Sequence, residues 1–208
     1  MPVIAMIGNK GGTGKTTLSV NIASCLARDA RVVLVDADPQ KSALQWADIR
    51  KDDTDLDVMD GTLNLVDLVG RMSRKYDYVF IDCPPSIHSM QSQEALSLCD
   101  KTLIPVQPSP YDLWATVHIE REIDRAREKN QGLSPVLIMN QLEPRTRLSR
   151  YVYQGLSEIE LPAATTAIYR RVAYRSSVLE GKSVHEMGSR GKMASQEICE
   201  LINEVVKQ

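Results

Sequence analysis

The sequence predicts an α/β fold, a doubly wound, mostly parallel twisted sheet with helices on both faces. Three observations predict it. Short continuous apolar runs such as Val32-Val33-Leu34-Val35 recur along the chain and read as strands buried on both sides. Stretches with apolar residues at helical spacing alternate with them, the β-α-β rhythm of a parallel sheet. Several runs also end in Asp or Asn, where open α/β sheets gather ligands beyond the carboxyl ends of their strands. With 208 residues, 43% of them hydrophobic, a single domain spanning 1–208 is expected, with no internal repeat.

The first strand, expected at 3–7, runs into Gly8-Asn9-Lys10-Gly11-Gly12-Thr13-Gly14-Lys15-Thr16-Thr17 and a helix over 15–28 with Leu18, Ile22, Ala23 and Leu26 on one stripe. Gly11, Gly12 and Gly14 allow positive φ and close backbone approach, so successive N–H groups can surround a phosphate. The helix N-terminus adds its partial positive charge. In such a loop Lys15 reaches β- and γ-phosphate oxygens, Thr16 ligates Mg²⁺ and Thr17 faces the α-phosphate. The P-loop pattern asks for glycine five residues before Gly14, where this chain has Asn9, and the tolerance of Asn for left-handed backbone lets the loop form.

The segment Lys10-Gly11-Gly12-Thr13-Gly14-Lys15-Thr16-Thr17 resembles the deviant Walker A motif of the ParA/MinD family of P-loop ATPases, with Lys10 at the place of the family's signature lysine. The resemblance implies ATP and Mg²⁺ as cofactors and a homodimer that sandwiches two nucleotides, Lys10 reaching the partner's phosphates. From the residue alone, a lysine on this loop could equally be solvated and idle.

A buried-type strand at 31–36 ends in Asp36-Ala37-Asp38-Pro39-Gln40, which resembles the family's second nucleotide motif and first switch. The resemblance puts Asp36 near the Mg²⁺ shell and gives Asp38 the attacking water; a helix cap or turn is the plain alternative for both. A helix follows over 41–51, with Trp46 close to the switch, then a short strand at 56–59 and a helix over 62–74. The strand at 76–82 ends in Asp82 in the Walker B pattern, where a carboxylate holds a Mg²⁺-bound water. Pro84-Pro85 then forces an extended exit and matches the family's second switch. A strand at 102–106, a proline-rich loop, a long helix over 111–129 and a strand at 135–140 follow. Asn140 stands where the family reads adenine, an edge that needs one donor and one acceptor; a turn asparagine is the competing reading.

Beyond Asn140 a helix is expected over 148–157 and a last strand at 164–168. Between Arg145 and Lys192 nine basic residues face four acidic ones, in a chain of formal net charge -2. Tyr169-Arg170-Arg171-Val172-Ala173-Tyr174-Arg175 interleaves cations with aromatics and makes Arg170, Arg171 and Arg175, with Arg145 and Arg147, candidates for non-specific DNA phosphate contacts. The resemblance agrees, since many partition ATPases of the family bind DNA as ATP dimers; a solvated charged face or a dimer interface are the alternatives. The last helix, 193–206, carries Ile198, Leu201, Ile202 and Val205 on one face, but its net charge is negative, so core packing rather than membrane binding is expected.

No apolar run reaches the roughly 18 residues of a membrane span, and a soluble, cytoplasmic protein, nucleoid-associated when ATP-bound, is expected. Cys25, Cys83, Cys99 and Cys199 are far apart in sequence without a C-x-x-C pair, which suggests reduced thiols and no zinc site. The resemblance implies a slow, partner-stimulated ATP hydrolase that positions a plasmid, chromosome region or protein organelle through an adaptor. An iron-sulfur ATPase of the nitrogenase iron protein type would need paired cysteines, and a dethiobiotin synthetase-like ligase would have no use for Lys10 in trans.

Overall fold

The computed structural model describes residues 1–50, 56–144, 146, 155 and 159–207. Six strands form one sheet: β1 Val3–Met6, β2 Val32–Asp36, β3 Leu56–Asp60, β4 Tyr78–Asp82, β5 Lys101–Val106 and β6 Ser134–Met139. Their order is β3-β2-β4-β1-β5-β6 and every pairing is parallel. β1, at the centre, is buried throughout, as its apolar run requires.

Helices cover both faces. On one lie α1 Lys15–Leu26, α2 Ser42–Ile49, α6 Val172–Leu179, a kinked 3-10 segment Val184–Arg190 and α7 Lys192–Val205. Their buried residues, among them Leu18, Ile22, Trp46, Ile198 and Leu201, pack on Ile4, Met6, Leu34 and Phe80 of the sheet. On the other lie α3 Leu65–Met72, α4 Met90–Leu98 and α5 Pro110–Lys129, where Leu68, Leu96 and Ile123 meet Ala5, Val33, Val35 and Ile81. Alternate residues of each strand thus feed alternate cores, the period-2 consequence of the pleat.

The expected strand at 164–168 is not a full strand. Two isolated bridges flank it, Ala163 with Leu137 of β6 and Tyr169 with Leu142 just beyond that strand. Between them the amides of Thr165 and Thr166 donate to the Glu204 carboxylate at 2.6 and 2.9 Å instead of to the sheet, which interrupts the ladder. Two helices, α4 and α6, were not legible in sequence. α4 buries little beyond Ala95 and Leu96, and its one local signal is Ser89, whose side chain caps the amide of Ser92. The helix expected over 148–157 falls outside the described residues except for Gly155.

α7 packs its apolar stripe into the core, as its charge suggested, and among the described residues no helix is long and apolar enough to cross a membrane. Leu201→Ala should therefore cost about 2–5 kcal/mol of stability in urea unfolding. Leu179→Ala, at a side chain 80% exposed, should change stability by no more than about 0.5 kcal/mol.

Candidate nucleotide-binding site

The loop after β1 turns on two residues with left-handed backbone, Gly12 at φ 80° and Gly14 at φ 90°. Gly14 also has no room for a side chain: a Cβ there would lie 2.4 Å from Asn140 Nδ2. Asn9 and Gly11 keep negative φ, so the left-handed tolerance expected of Asn9 is not used. The Asn9 side chain instead accepts a hydrogen bond from the Ile87 amide at 3.5 Å. α1 starts at Lys15 without a side-chain cap, which leaves its first amides facing the loop.

The two lysines take different directions. Lys15 is buried and donates to the Lys10 carbonyl at 3.0 Å, inside the loop. Burial lowers its pKa, and the charges of Asp82 and Asp38 act against that shift. Lys10 points outward, its side chain 46% exposed and its ammonium 3.0 Å from Asp112 Oδ2 in the first turn of α5. Asp112 itself is buried. Sequence reading missed Asp112, because nothing in its local pattern distinguishes it from an ordinary first-turn acid.

Three acidic residues gather beside the loop. Parallel register sets Asp36 opposite Asp82 and Met6 opposite Asp82, so both carboxylates project toward α1. Thr16 Oγ1 donates to Asp82 Oδ2 at 2.6 Å and Ser19 Oγ to Asp82 Oδ1 at 3.0 Å. Ser19 was also missed, although its place three residues after Thr16 on one helix face was readable. Asp36 accepts from the backbone amides of Asp38, Ala43 and Leu44 at 2.9–3.1 Å, which fixes the chain that leaves β2. Asp38 is nearly buried and accepts from the Gln40 amide at 2.9 Å. Thr16, Asp82 and Asp36 supply only hard oxygen donors, the set that suits Mg²⁺.

Asn140, at the end of β6, is buried and donates to the Thr13 carbonyl at 2.6 Å. Gln107 and Gln141 both donate to the Gly12 carbonyl, at 2.6 and 3.0 Å. Three amide side chains from the ends of β5 and β6 thus hold the loop in shape. Beside it opens a cavity of about 430 Å³ lined by Gly14, Thr17, Asn140, Tyr169, Tyr174 and Arg175 among others. Its volume and aromatic walls suit a purine base.

The five candidate DNA arginines separate. Arg145 and Arg147 lie outside the described residues. Arg170 pairs with Glu143 at 2.6 Å and Arg171 with the buried Glu197 at 2.5 Å, while both line the cavity. Arg175 is exposed on the cavity rim.

Burial pushes the Asp82 carboxyl up to about 7 from 3.8, with Asp36 adding to the rise and the hydroxyls of Thr16 and Ser19 opposing it. Between about pH 4 and 7 the native state keeps a proton that the unfolded chain has lost. This contribution to stability is full below that window and disappears as pH rises through 7. Without nucleotide or metal, the unfolding free energy of the wild type should fall from pH 4 to 7 more steeply than that of Asp82→Asn, as measured by urea titrations. Parallel curves would contradict the shift.

The chain matches the family described as the CobQ/CobB/MinD/ParA nucleotide binding domain over residues 4–206. It is 39% identical over 206 residues to the maintenance of carboxysome distribution protein A of Halothiobacillus neapolitanus, covering 98% of this chain and 95% of that protein. It is 29% identical to the sporulation initiation inhibitor protein Soj of Bacillus subtilis, with 91% of this chain and 88% of that one covered. Among solved structures it resembles the ATP complex of a substituted McdA from Cyanothece, with TM-score 0.80, 17% identity and coverage of 98% and 95%. It also resembles the septum site-determining protein MinD of Pyrococcus horikoshii with Mg-ADP, with TM-score 0.75, 18% identity and coverage of 97% and 96%. The glycine-rich loop, the acids beside it and the match along nearly the whole chain agree: the protein belongs to the CobQ/CobB/MinD/ParA nucleotide-binding family, on its ParA/MinD side.

Proposed function

We propose that the chain is an ATP-driven positioning ATPase, one domain over 1–208, whose ATP- and Mg²⁺-bound homodimer binds DNA without sequence preference and moves a cargo through an adaptor protein. The carboxysome is the cargo that the 39% identical relative favours. The observation that carries the reading is the division of labour between the lysines: Lys15 lies inside its own loop, while Lys10 stands half exposed at the rim, held there by Asp112 and placed to turn to a neighbour.

Lys15, Thr17 and the amides of Gly11, Gly12, Thr13 and Gly14 bind the phosphates, and Asn140 with the adjoining cavity takes the adenine. Thr16, Asp82 and Asp36 would hold Mg²⁺, which would supply positive charge against the phosphate oxygens. Asp38 orients the attacking water, and Lys10 of the partner subunit stabilises the charge that develops on the γ-phosphate.

The rim is suited to a second copy. Tyr111 and Trp114, 70% and 63% exposed and packed edge to face at 5.5 Å, flank Asp112 and offer the aromatic surface that interfaces favour. The dimer would be cytoplasmic and nucleoid-associated while ATP is bound, and an adaptor would end that state by completing the transition-state geometry for hydrolysis.

Light scattering and non-specific DNA binding, each with ADP and with a non-hydrolysable ATP analogue, test the reading. The wild type should dimerise and bind DNA only with the analogue. Lys15→Ala should lose nucleotide, whereas Lys10→Ala and Trp114→Ala should keep it and lose the dimer. Asp38→Ala should accumulate as an ATP-bound dimer that hydrolyses at least about 100-fold more slowly. A wild type that stays monomeric in both nucleotides defeats the proposal.

The DNA contacts carry their own test. Arg175→Ala should weaken binding to all sequences alike and lower the slope of log K against log salt by about 1 per lost phosphate contact. An unchanged slope would remove Arg175 from the DNA surface.

A further inference from the structure

The thiols of Cys25 and Cys199 lie 174 positions apart in sequence, yet the fold sets their sulfurs 3.8 Å from each other. Cys25 sits in the last turn of α1 and Cys199 on α7. Sequence spacing suggested scattered thiols without zinc-site spacing, and the packing of these two helices brings two of them together. His185, on the 3-10 segment, completes the group: one ring nitrogen and the two sulfurs all lie within 4.8 Å of one another.

The imidazole is set as a ligand would be. Nδ1 is hydrogen-bonded to Ser195 Oγ at 2.6 Å, the outer contact that fixes the tautomer of a metal-binding histidine. Nε2 is buried and has no hydrogen-bond partner among the described residues. An unpartnered buried nitrogen costs free energy, and a lone pair directed at a cation removes that cost.

The sulfur separation discriminates between fates. Two thiolates on a tetrahedral zinc, each at about 2.3 Å, stand roughly 3.8 Å apart. A disulfide requires about 2.0 Å, so closing that bond needs the two helices to shift. Both cysteines are partly accessible, which leaves a way in for an ion.

We propose that Cys25, His185 and Cys199 form a binding site for a thiophilic d¹⁰ cation, zinc foremost, with a water as the fourth ligand. Neutral imidazole and two thiolates are the soft donor set that selects such an ion over Mg²⁺. Burial, with Arg28 adding to it, lowers His185 to about 4, so its ring is neutral at physiological pH. Burial and Cys199 push the Cys25 thiol up to about 12, with Arg28 and Lys207 opposing the rise. The Cys25 thiol therefore carries its proton until the metal binds, and releases it to the buffer as the sulfur bonds to the ion. Among the described residues, Glu186 is the acidic group acting on the ring. The bound ion would fasten the C-terminal end of α1 to α7 and to the 3-10 segment. It would act at the opposite end of α1 from the phosphate-binding loop.

The test uses the full chain in metal-free, reducing buffer without nucleotide. Co²⁺ titration should give one equivalent bound, with a thiolate-to-cobalt absorption band that Zn²⁺ then abolishes. Cys25→Ser/Cys199→Ser should show no band, and Ser195→Ala should bind at least about 10-fold more weakly. Because the double variant could fail to fold, the wild type is also labelled with a maleimide and mapped by mass spectrometry. Zn²⁺ should protect Cys25 and Cys199 and leave the labelling of Cys83 and Cys99 as it was. Two results would overturn the site: cobalt binding without a thiolate band, or labelling of Cys25 and Cys199 unaffected by zinc. Loss of two hydrogens by mild oxidation in a chain that takes up no zinc would overturn it too, and assign the pair to a disulfide.

Discussion

The register that aligns β1, β2 and β4 is the constraint on which the candidate site rests. Because the three strands run parallel and in step, Asp36 and Asp82 end on one row and one face, directly over α1. A slip of one residue in β2 or β4 would carry its carboxylate to the opposite core, among α3, α4 and α5. Two carboxylates side by side under a helix are expensive to bury. Three backbone amides on Asp36 and two hydroxyls on Asp82 offset that cost, and each of these donors belongs to a segment that has to be in place for nucleotide binding. Shaping the site and relieving the buried charge are the same set of contacts.

Much of this was legible in the chain itself. The apolar runs named five of the six strands, since a strand buried on both faces needs a composition that few loops share, while the partly exposed β3 gave only a weak signal at 56–59, and Val32–Asp36 and Tyr78–Asp82 carried their acids at the end where ligands collect. The loop was readable because Gly12 and Gly14 are required by backbone geometry. What stayed hidden depends on distance in sequence. Asp112 acquires meaning only through Lys10, and Gln107 and Gln141 only through the Gly12 carbonyl, contacts that span about a hundred residues. The segment 164–168 was misread as a strand for a related reason: Glu204, on a helix some forty residues later, takes its amides. Local composition has no record of such competition for a donor.

α1 connects two chemistries of opposite kind. Its N-terminal turn offers amides, a buried ammonium and a hydroxyl to hard anions and Mg²⁺, while its C-terminal turn presents a thiol to a soft ion. Between them Asn21 accepts from the Val184 amide at 2.7 Å in the core, which ties the 3-10 segment that carries His185 to the middle of the same helix. The helix is thus held along its length by side chains from the end of the chain, and the register of α7 is set against the strand-to-helix turn from which the sequence begins its pattern.

The ion pair between Lys10 and Asp112 has a consequence for discrimination. An anion that is to win Lys10 competes with a carboxylate already 3.0 Å away and tethered to the same molecule, so its effective concentration is high. Dilute chloride or free phosphate competes poorly. Asp112, being buried, also loses the cationic partner that Lys10 supplies when the lysine leaves, and that loss must be made good by whatever replaces it. In a sandwich dimer of the proposed kind, a triphosphate presented on a rigid facing surface meets both demands at once. The pair then behaves as a noise filter: stray anions leave the subunit at rest, and a correctly loaded neighbour is the signal that passes.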